Sequence, residues 1–387
     1  MRISSRCFIL LLVLTLSLLP VQQVSANPLF YAGEFLYAVN INPLGRHVSN
    51  ALTQARNLHP DWLMVDFDWN VWFPARDTAQ NFQSLDTVMR FAEEQGIGVS
   101  MRILNPPAWV LTGAGPDPAS TADLIHFLEE RYANSMKAVE VFPGANTKQG
   151  WGAAPSPQAY VDLLETVQQK LVQEESRLLL VAGGLIPVSD PDQMTRIGDI
   201  AFLEGLYAAG FHSVNAILSL QLLDLAPDIF QVALDVNEPV LLHIDAVQTV
   251  MNLNHDAAGP VWVTAVSFEN GAVQGSESLL DICTLLRSRL FVGLVSPAAL
   301  NPVNSAPGMM SLMDEDGSAG TMQQLIASNR SETSAAIAMA SKNLQSIRKE
   351  EPIHESHPLR FFFTRLFGLS CSRFGSCQQP VFISRSS

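Results

Sequence analysis

The sequence predicts a (β/α)8 barrel on three observations. From Phe35 to about Val295, short β-rich runs alternate with amphipathic stretches of period near 3.6. Eight such strands spread over roughly 260 residues is the arithmetic of a barrel domain. Leu178-Leu179-Leu180-Val181 is continuously apolar, as a parallel strand covered on both faces must be. A doubly wound sheet is the alternative. It would want a glycine-rich phosphate turn after its first strand, where this chain has Asn40-Ile41-Asn42-Pro43.

Taken in order, the predicted strands are Phe35–Asn42, Trp62–Trp69, Ile97–Leu104, Met136–Phe142, Leu178–Gly184, Ser213–Leu220, Val261–Phe268 and Leu290–Ser296. Helical spacing between them is clearest at Leu85–Glu94, where Leu85, Val88, Met89 and Ala92 share a face, and at Ala159–Glu174 and Ala246–Leu253. After Pro297, residues 301–320 read as loop with an acidic cluster at Asp314-Glu315-Asp316. The alanine-rich stretch Thr321–Lys349 would serve as the eighth helix, which makes 27–349 the barrel domain. Residues 350–387 form a tail with Phe361-Phe362-Phe363, and no repeat or low-complexity run appears.

The N-terminus carries Arg2 and Arg6, an apolar run from Phe8 to Leu19, and Val24-Ser25-Ala26. That pattern reads as a secretory signal over residues 1–26, cleaved after Ala26, and implies a secreted or extracytoplasmic protein; an uncleaved N-terminal anchor is the alternative. Its apolar run is shorter than the roughly 20 residues of a membrane span, so no span is expected after cleavage. Loss of the two arginines takes the formal charge from −14 to −16. So acidic a surface argues against nucleic acid and anionic membranes but leaves neutral sugars open.

Of the four cysteines, Cys7 leaves with the signal, and Cys371 and Cys377 can close a small disulfide loop in an oxidising compartment. Cys283 lies on the apolar face Leu279, Leu280, Ile282, Leu285, Leu286 and reads as a buried thiol. His243, His255, His354 and His357 read as lone histidines. No metal-ligand spacing occurs, and neither metal nor cofactor is expected.

In a barrel of this kind the working face is the C-terminal end of the strands. The predicted strand ends carry Asn40 and Asn42, then Asp66-Phe67-Asp68-Trp69-Asn70-Val71-Trp72, then Arg102 through Asn105-Pro106-Pro107-Ala108-Trp109, then Asn146 and Trp151, then Gly183-Gly184. Aromatic rings stack on the apolar face of a pyranose, and carboxylates and amides bond its hydroxyls. Asn42, Asp66, Asp68, Trp72, Asn105, Trp109, Asn146 and Trp151 are the candidate sugar-binding residues. The tryptophans would equally serve to wedge the loops against the barrel.

The order Val-Asp-Phe-Asp-Trp, Leu-Asp-x-Val, Gly-Ile-Gly-Val, Asn-Pro-Pro-Ala-Trp resembles strands two and three of clan A glycoside hydrolases, closest to the xylosidase-like and cellulase-like barrels. Further along, Glu140, Asn146, Trp151-Gly152, Pro157, Tyr160, Gly183-Gly184-Leu185 and Pro260-Val261-Trp262-Val263-Thr264 continue that pattern. The resemblance covers Phe35 to Val295. It implies an acid/base glutamate in an Asn-Glu-Pro motif after strand four and a nucleophile glutamate after Thr264. Here those positions read Pro143-Gly144-Ala145 and Ala265. Glycine and alanine supply neither of the two carboxyls a retaining glycosidase needs. The family's strand-two arginine appears as Met64, and its His-x-Tyr after strand six as Ile217-Leu218-Ser219.

Glu140 shares strand parity with position 144 but lies deeper, and is expected to pair with a barrel cation such as Arg102. Glu269, just past strand seven, reads as a loop residue. Asn237-Glu238-Pro239 spells the motif ahead of a helix, in the wrong place. The expectation is an exported glycoside-hydrolase-like barrel without hydrolase activity that binds an oligosaccharide or cell-surface glycan. Two alternatives stand beside it. One is an active hydrolase with relocated carboxylates, Glu269 with Glu238 or Asp66; the other is an interaction scaffold for an unidentified protein partner.

Overall fold

A computed structural model describes residues 35–76, 78, 81–188, 191–225, 239–257, 259–268, 277–301 and 311–312. The expected signal peptide, Glu238, Glu269, the eighth helix at 321–349, and the tail with Cys371 and Cys377 lie outside the described residues.

Eight parallel strands close into one barrel in sequence order, which excludes the doubly wound alternative. They are β1 (Leu36–Ile41), β2 (Trp62–Asp68), β3 (Gly98–Leu104), β4 (Met136–Val141), β5 (Leu179–Leu185), β6 (Ala216–Leu225), β7 (Val261–Phe268) and β8 (Val292–Val295). A barrel helix follows each of the first seven: α1 (Val48–Leu58), α2 (Gln83–Gln95), α3 (Pro118–Arg131), α4 (Pro157–Gln173), α5 (Asp199–Ala208), α6 (Pro239–Leu253) and α7 (Glu277–Arg287).

Local chemistry sets the helix ends. Asp117 and Ser156 cap α3 and α4 by accepting the Ser120 and Ala159 N–H groups, each with proline at the first helical position. Gly96 ends α2 at φ +67°, a left-handed conformation suited to glycine. Two boundaries differ from expectation. Ser213, where predicted strand six begins, closes a 3-10 turn over Phe211–Ser213, and β6 instead runs from Ala216 past Leu220 to Leu225. Helix α6 begins at Pro239, seven residues before the predicted Ala246, so Glu238 does precede a helix.

Within the barrel, the lower interior is an apolar plug of Ala38, Trp62, Met64, Ala138, Leu179, Val181, Ile217, Trp262 and Leu294. Trp62 and Trp262 meet edge-to-face across it, with ring centres 5.3 Å apart. The main core lies outside the barrel, between strands and helices. Cys283 is buried there as expected, and burial pushes its thiol up to about 12. His243 is not solitary: its Nε2 lies 2.7 Å from Asp199 Oδ2, joining α6 to α5.

Tyr160 of α4 pins the ends of two strands. Its hydroxyl donates to Val141 O at 2.6 Å and accepts Gly183 N–H at 2.8 Å. Burial drives the phenol's pKa far up, and the Gly183 N–H acts against it. Removing only this hydroxyl, in Tyr160→Phe, leaves a buried N–H and carbonyl unpaired. We expect a loss of about 2 kcal/mol, read from the denaturant midpoint. A loss below about 0.5 kcal/mol would mean the hydroxyl is not what joins β4 to β5.

Candidate functional site

The mouth of the barrel has a polar floor. Ser296 Oγ donates to Asn40 Oδ1 (2.8 Å), Asn40 Nδ2 to Thr264 O (3.2 Å), and Thr264 Oγ1 to Glu140 Oε1 (2.8 Å). Arg102 Nε donates to Glu140 Oε2 (2.9 Å), and Arg102 Nη1 lies 3.6 Å from Asp66 Oδ1. Five strands and the residue that follows β8 are thereby tied together directly above the apolar plug. Asp66, Arg102 and Glu140 are 4%, 0% and 0% exposed.

Glu140 pairs with Arg102 as the sequence suggested, and Asp66, the one of the three fallback catalytic candidates that falls among the described residues, faces the same guanidinium. A general acid or nucleophile must present an oxygen to the reacting bond. Both Glu140 oxygens are occupied, one by Arg102 and one by Thr264.

The ends of β4 and β7 differ in kind. Strand β4 stops at Val141, and Phe142 turns the chain at φ +51°. The expected shared parity of Glu140 and Gly144 therefore does not hold, because the pleat has ended between them. Gly144 stands at φ +80° in a turn, its N–H donating to Gly184 O (2.8 Å) and Gly183 O (3.1 Å), while its carbonyl accepts Thr147 N–H (2.8 Å). A Cβ there would lie 3.1 Å from Ile186 Cδ1. Glycine is thus built into the backbone at this position.

Strand β7 keeps its path. Leu220 pairs with Val263 but Gln221 pairs with Ala265, so Thr264 is an extra residue in β7, a β-bulge. Thr264 reaches Glu140 inside the barrel, and the bulge leaves Ala265 off the outer core, clustered with Ala299 and Leu223. A methyl group is aimed where the resemblance puts a carboxylate.

The candidate sugar-binding residues separate into two groups. Asp68, Asn105 and Trp109 form a rim over β2 and β3. Asn105 Nδ2 donates to Asp68 Oδ2 at 2.7 Å, and Trp109 Nε1 donates to Phe73 O at 2.9 Å. The Arg76 guanidinium lies 5.5 Å from the Trp109 ring centre. Asn105 is exposed and held at φ +48°, while Trp109 is half-buried. Asn42, at the end of β1, is 8% exposed and closes the barrel seam through paired bonds with Asn301.

The second group corrects the expectation. Trp72 is 1% exposed and stacks on Phe67 and Phe82, so it offers no face to a ligand. Trp151 is equally buried; its indole donates to Ala114 O, and its ring packs edge-on against Phe142 and Tyr160. Asn146 is fully buried, donating to Ile186 O and Ile197 O (2.8 Å each) and accepting Ile186 N–H. Its amide holds the loop after β5 in place.

Gln221 was missed. It lies on the inward face of β6, in phase with Ile217 and beside Ala265, and is fully buried with neither amide atom bonded. The available signal was a single amide in the run Ile217-Leu218-Ser219-Leu220-Gln221-Leu222, at the inward parity of Ser219. Among the described residues, no group of three or more His, Cys, Asp or Glu is placed to hold a metal, and no helix is long and apolar enough to cross a membrane.

No family model matches the sequence, and no curated protein matches it. Solved structures do match. A family 39 glycoside hydrolase from the gut symbiont Bacteroides cellulosilyticus WH2 superposes with TM-score 0.55 and 15% identity, covering 76% of this chain and 63% of that one. The chain therefore spans less than two thirds of that protein's length. A GH5_18 from Bifidobacterium longum subsp. infantis gives 0.54 and 13%, covering 77% of this chain and 78% of that chain. An endo-beta-1,4-glucanase from Xanthomonas axonopodis pv. citri gives 0.50 and 10%, covering 76% and 98%. At such identities the likeness is one of fold. The clan A resemblance read from the motifs holds at that level: this is a glycoside-hydrolase-like (β/α)8 barrel.

Proposed function

We propose that this chain is an exported carbohydrate-binding protein that has kept a glycosidase barrel and lost its chemistry. The observation that carries the reading is the state of the two catalytic positions. Gly144 is bonded into a left-handed turn, and Ala265 presents a methyl group. The inward carboxylates Asp66 and Glu140 are engaged by Arg102 and Thr264. Loss of a residue that acts in the transition state costs orders of magnitude in rate, and here both are gone.

What supports binding is the rim. Asp68 and Asn105 offer oxygen and amide groups beside the half-exposed Trp109, the combination that meets a sugar's hydroxyls and its apolar face. The glycan would lie across the ends of β2 and β3 and extend over the mouth.

Calorimetric titration against a panel of plant and bacterial oligosaccharides tests this reading. Saturable heat that falls at least about tenfold in affinity in Trp109→Ala is the expected result, since one aromatic platform commonly carries that much. No heat with any glycan removes the binding claim. Aryl-glycoside turnover that disappears in Glu269→Gln would instead establish the active-hydrolase reading. Gly144→Glu combined with Ala265→Glu should leave turnover at background, because the strand-four position has lost its backbone geometry along with its side chain.

A further inference from the structure

Trp109, the aromatic platform of the glycan site, is already occupied. Two residues of the segment after β2 hold it: Phe73 O accepts the indole N–H at 2.9 Å, and the Arg76 guanidinium lies over the ring, 5.5 Å from its centre. Arg76 is exposed and Trp109 half-buried, so the guanidinium covers the ring from the solvent side. A pyranose needs that same open face to stack on. Cation and sugar cannot share it. Arg76 stands in a tight turn closed by Thr78 N–H donating to Ala75 O at 3.1 Å, so its backbone is anchored and only its side chain has to move. A second seat lies close by. Asp117 is tied beside Trp109, its N–H donating to Val110 O at 2.8 Å. The Ser120 bonds hold the Asp117 carboxyl below its ordinary value, and the Arg76 charge adds to that effect.

We infer that Arg76 is a latch on the sugar platform: it occupies the Trp109 ring in the free protein and swings off it, toward Asp117, when a pyranose stacks there. The inference rests on the carbohydrate-binding reading above and adds a control to it, since each binding event must first displace the guanidinium. A cation–ring contact at an exposed site is weak, so the latch lowers affinity without barring the site. The displaced charge does not go unanswered, because the Asp117 carboxylate attracts it. An arginine that instead bonded the sugar would strengthen binding, and the sign of the effect separates the two roles.

The chain has six tryptophans, and the other five, Trp62, Trp69, Trp72, Trp151 and Trp262, are 6% exposed or less. Acrylamide quenching of tryptophan fluorescence therefore reports on Trp109 with no glycan present. Quenching should rise in Arg76→Ala, and the quenchable component should disappear in Trp109→Phe. Melting curves of both variants establish that they fold. The second measurement is calorimetric titration of the parent and Arg76→Ala with cellotetraose, xylotetraose, tetra-N-acetylchitotetraose and the rest of the oligosaccharide panel. Affinity should rise about two- to fivefold in Arg76→Ala for the glycans that bind, the worth of one cation–ring contact at an exposed site. Equal quenching in the parent and Arg76→Ala overturns the latch and leaves carbohydrate binding intact. Unchanged affinity does the same, as does weaker binding by Arg76→Ala, which would make Arg76 a contact of the sugar. No heat from any glycan, with Arg76 present or replaced, overturns both.

Discussion

Replacing Arg102 with methionine should destabilise the fold by about 3–5 kcal/mol, the usual cost of leaving buried charge without its partner. Arg102 Nε bonds Glu140 at 2.9 Å and Nη1 faces Asp66 at 3.6 Å, with all three side chains at 4% exposure or less. Without the guanidinium, two carboxylates share a sealed space, and Thr264 alone offers Glu140 a donor. The denaturant midpoint of the variant measures the loss. Replacing all three with apolar residues of similar size should recover most of it, because a buried ion pair gains little over a well-packed apolar substitute. If Arg102→Met unfolds no more easily than the parent protein, the triad does not hold the floor together.

The second large effect is expected from Gly150→Ala. A Cβ at position 150 would stand 2.4 Å from Gly144 O and 2.5 Å from Pro143 O. Both obstacles are backbone carbonyls in the turn after β4, and no side-chain rotation relieves them. Overpacking of this severity should cost about 3 kcal/mol. Gly113→Ala is the matched control, since a Cβ there meets nothing within 4 Å. That change should be neutral or slightly stabilising through the unfolded chain. Equal midpoints for the two variants would remove the claim that residues 143–150 are packed backbone on backbone.

The barrel was legible because its signals are local. Continuous apolar runs bounded by turn residues place β2 to β5 and β7 within two residues, and β6 was cut short because Gln221 and Asp224 interrupt its apolar run. The site was less legible, because a tryptophan at a strand end reads alike whether it faces ligand or core. Trp72 is decided by Phe67 and Phe82, and Trp151 by Ala114 and Tyr160. Asn146 is decided by carbonyls forty and fifty-one residues further along the chain. No periodicity carries that information. The Glu140–Arg102 pair was accessible because both sit at inward parity on adjacent strands, and parity is a local property.

The bulge at Thr264 sets how β7 can change. Pairing resumes only because one extra residue is absorbed between Val263 and Ala265. Substitutions at 265 leave that count alone, so a side chain can be exchanged there without disturbing the pairing. Loss of a single residue is another matter. Removing the extra residue itself would restore an unbroken alternation with Val266 still facing the helices and Ser267 the lumen, and would take from Glu140 the hydroxyl donor that Thr264 supplies.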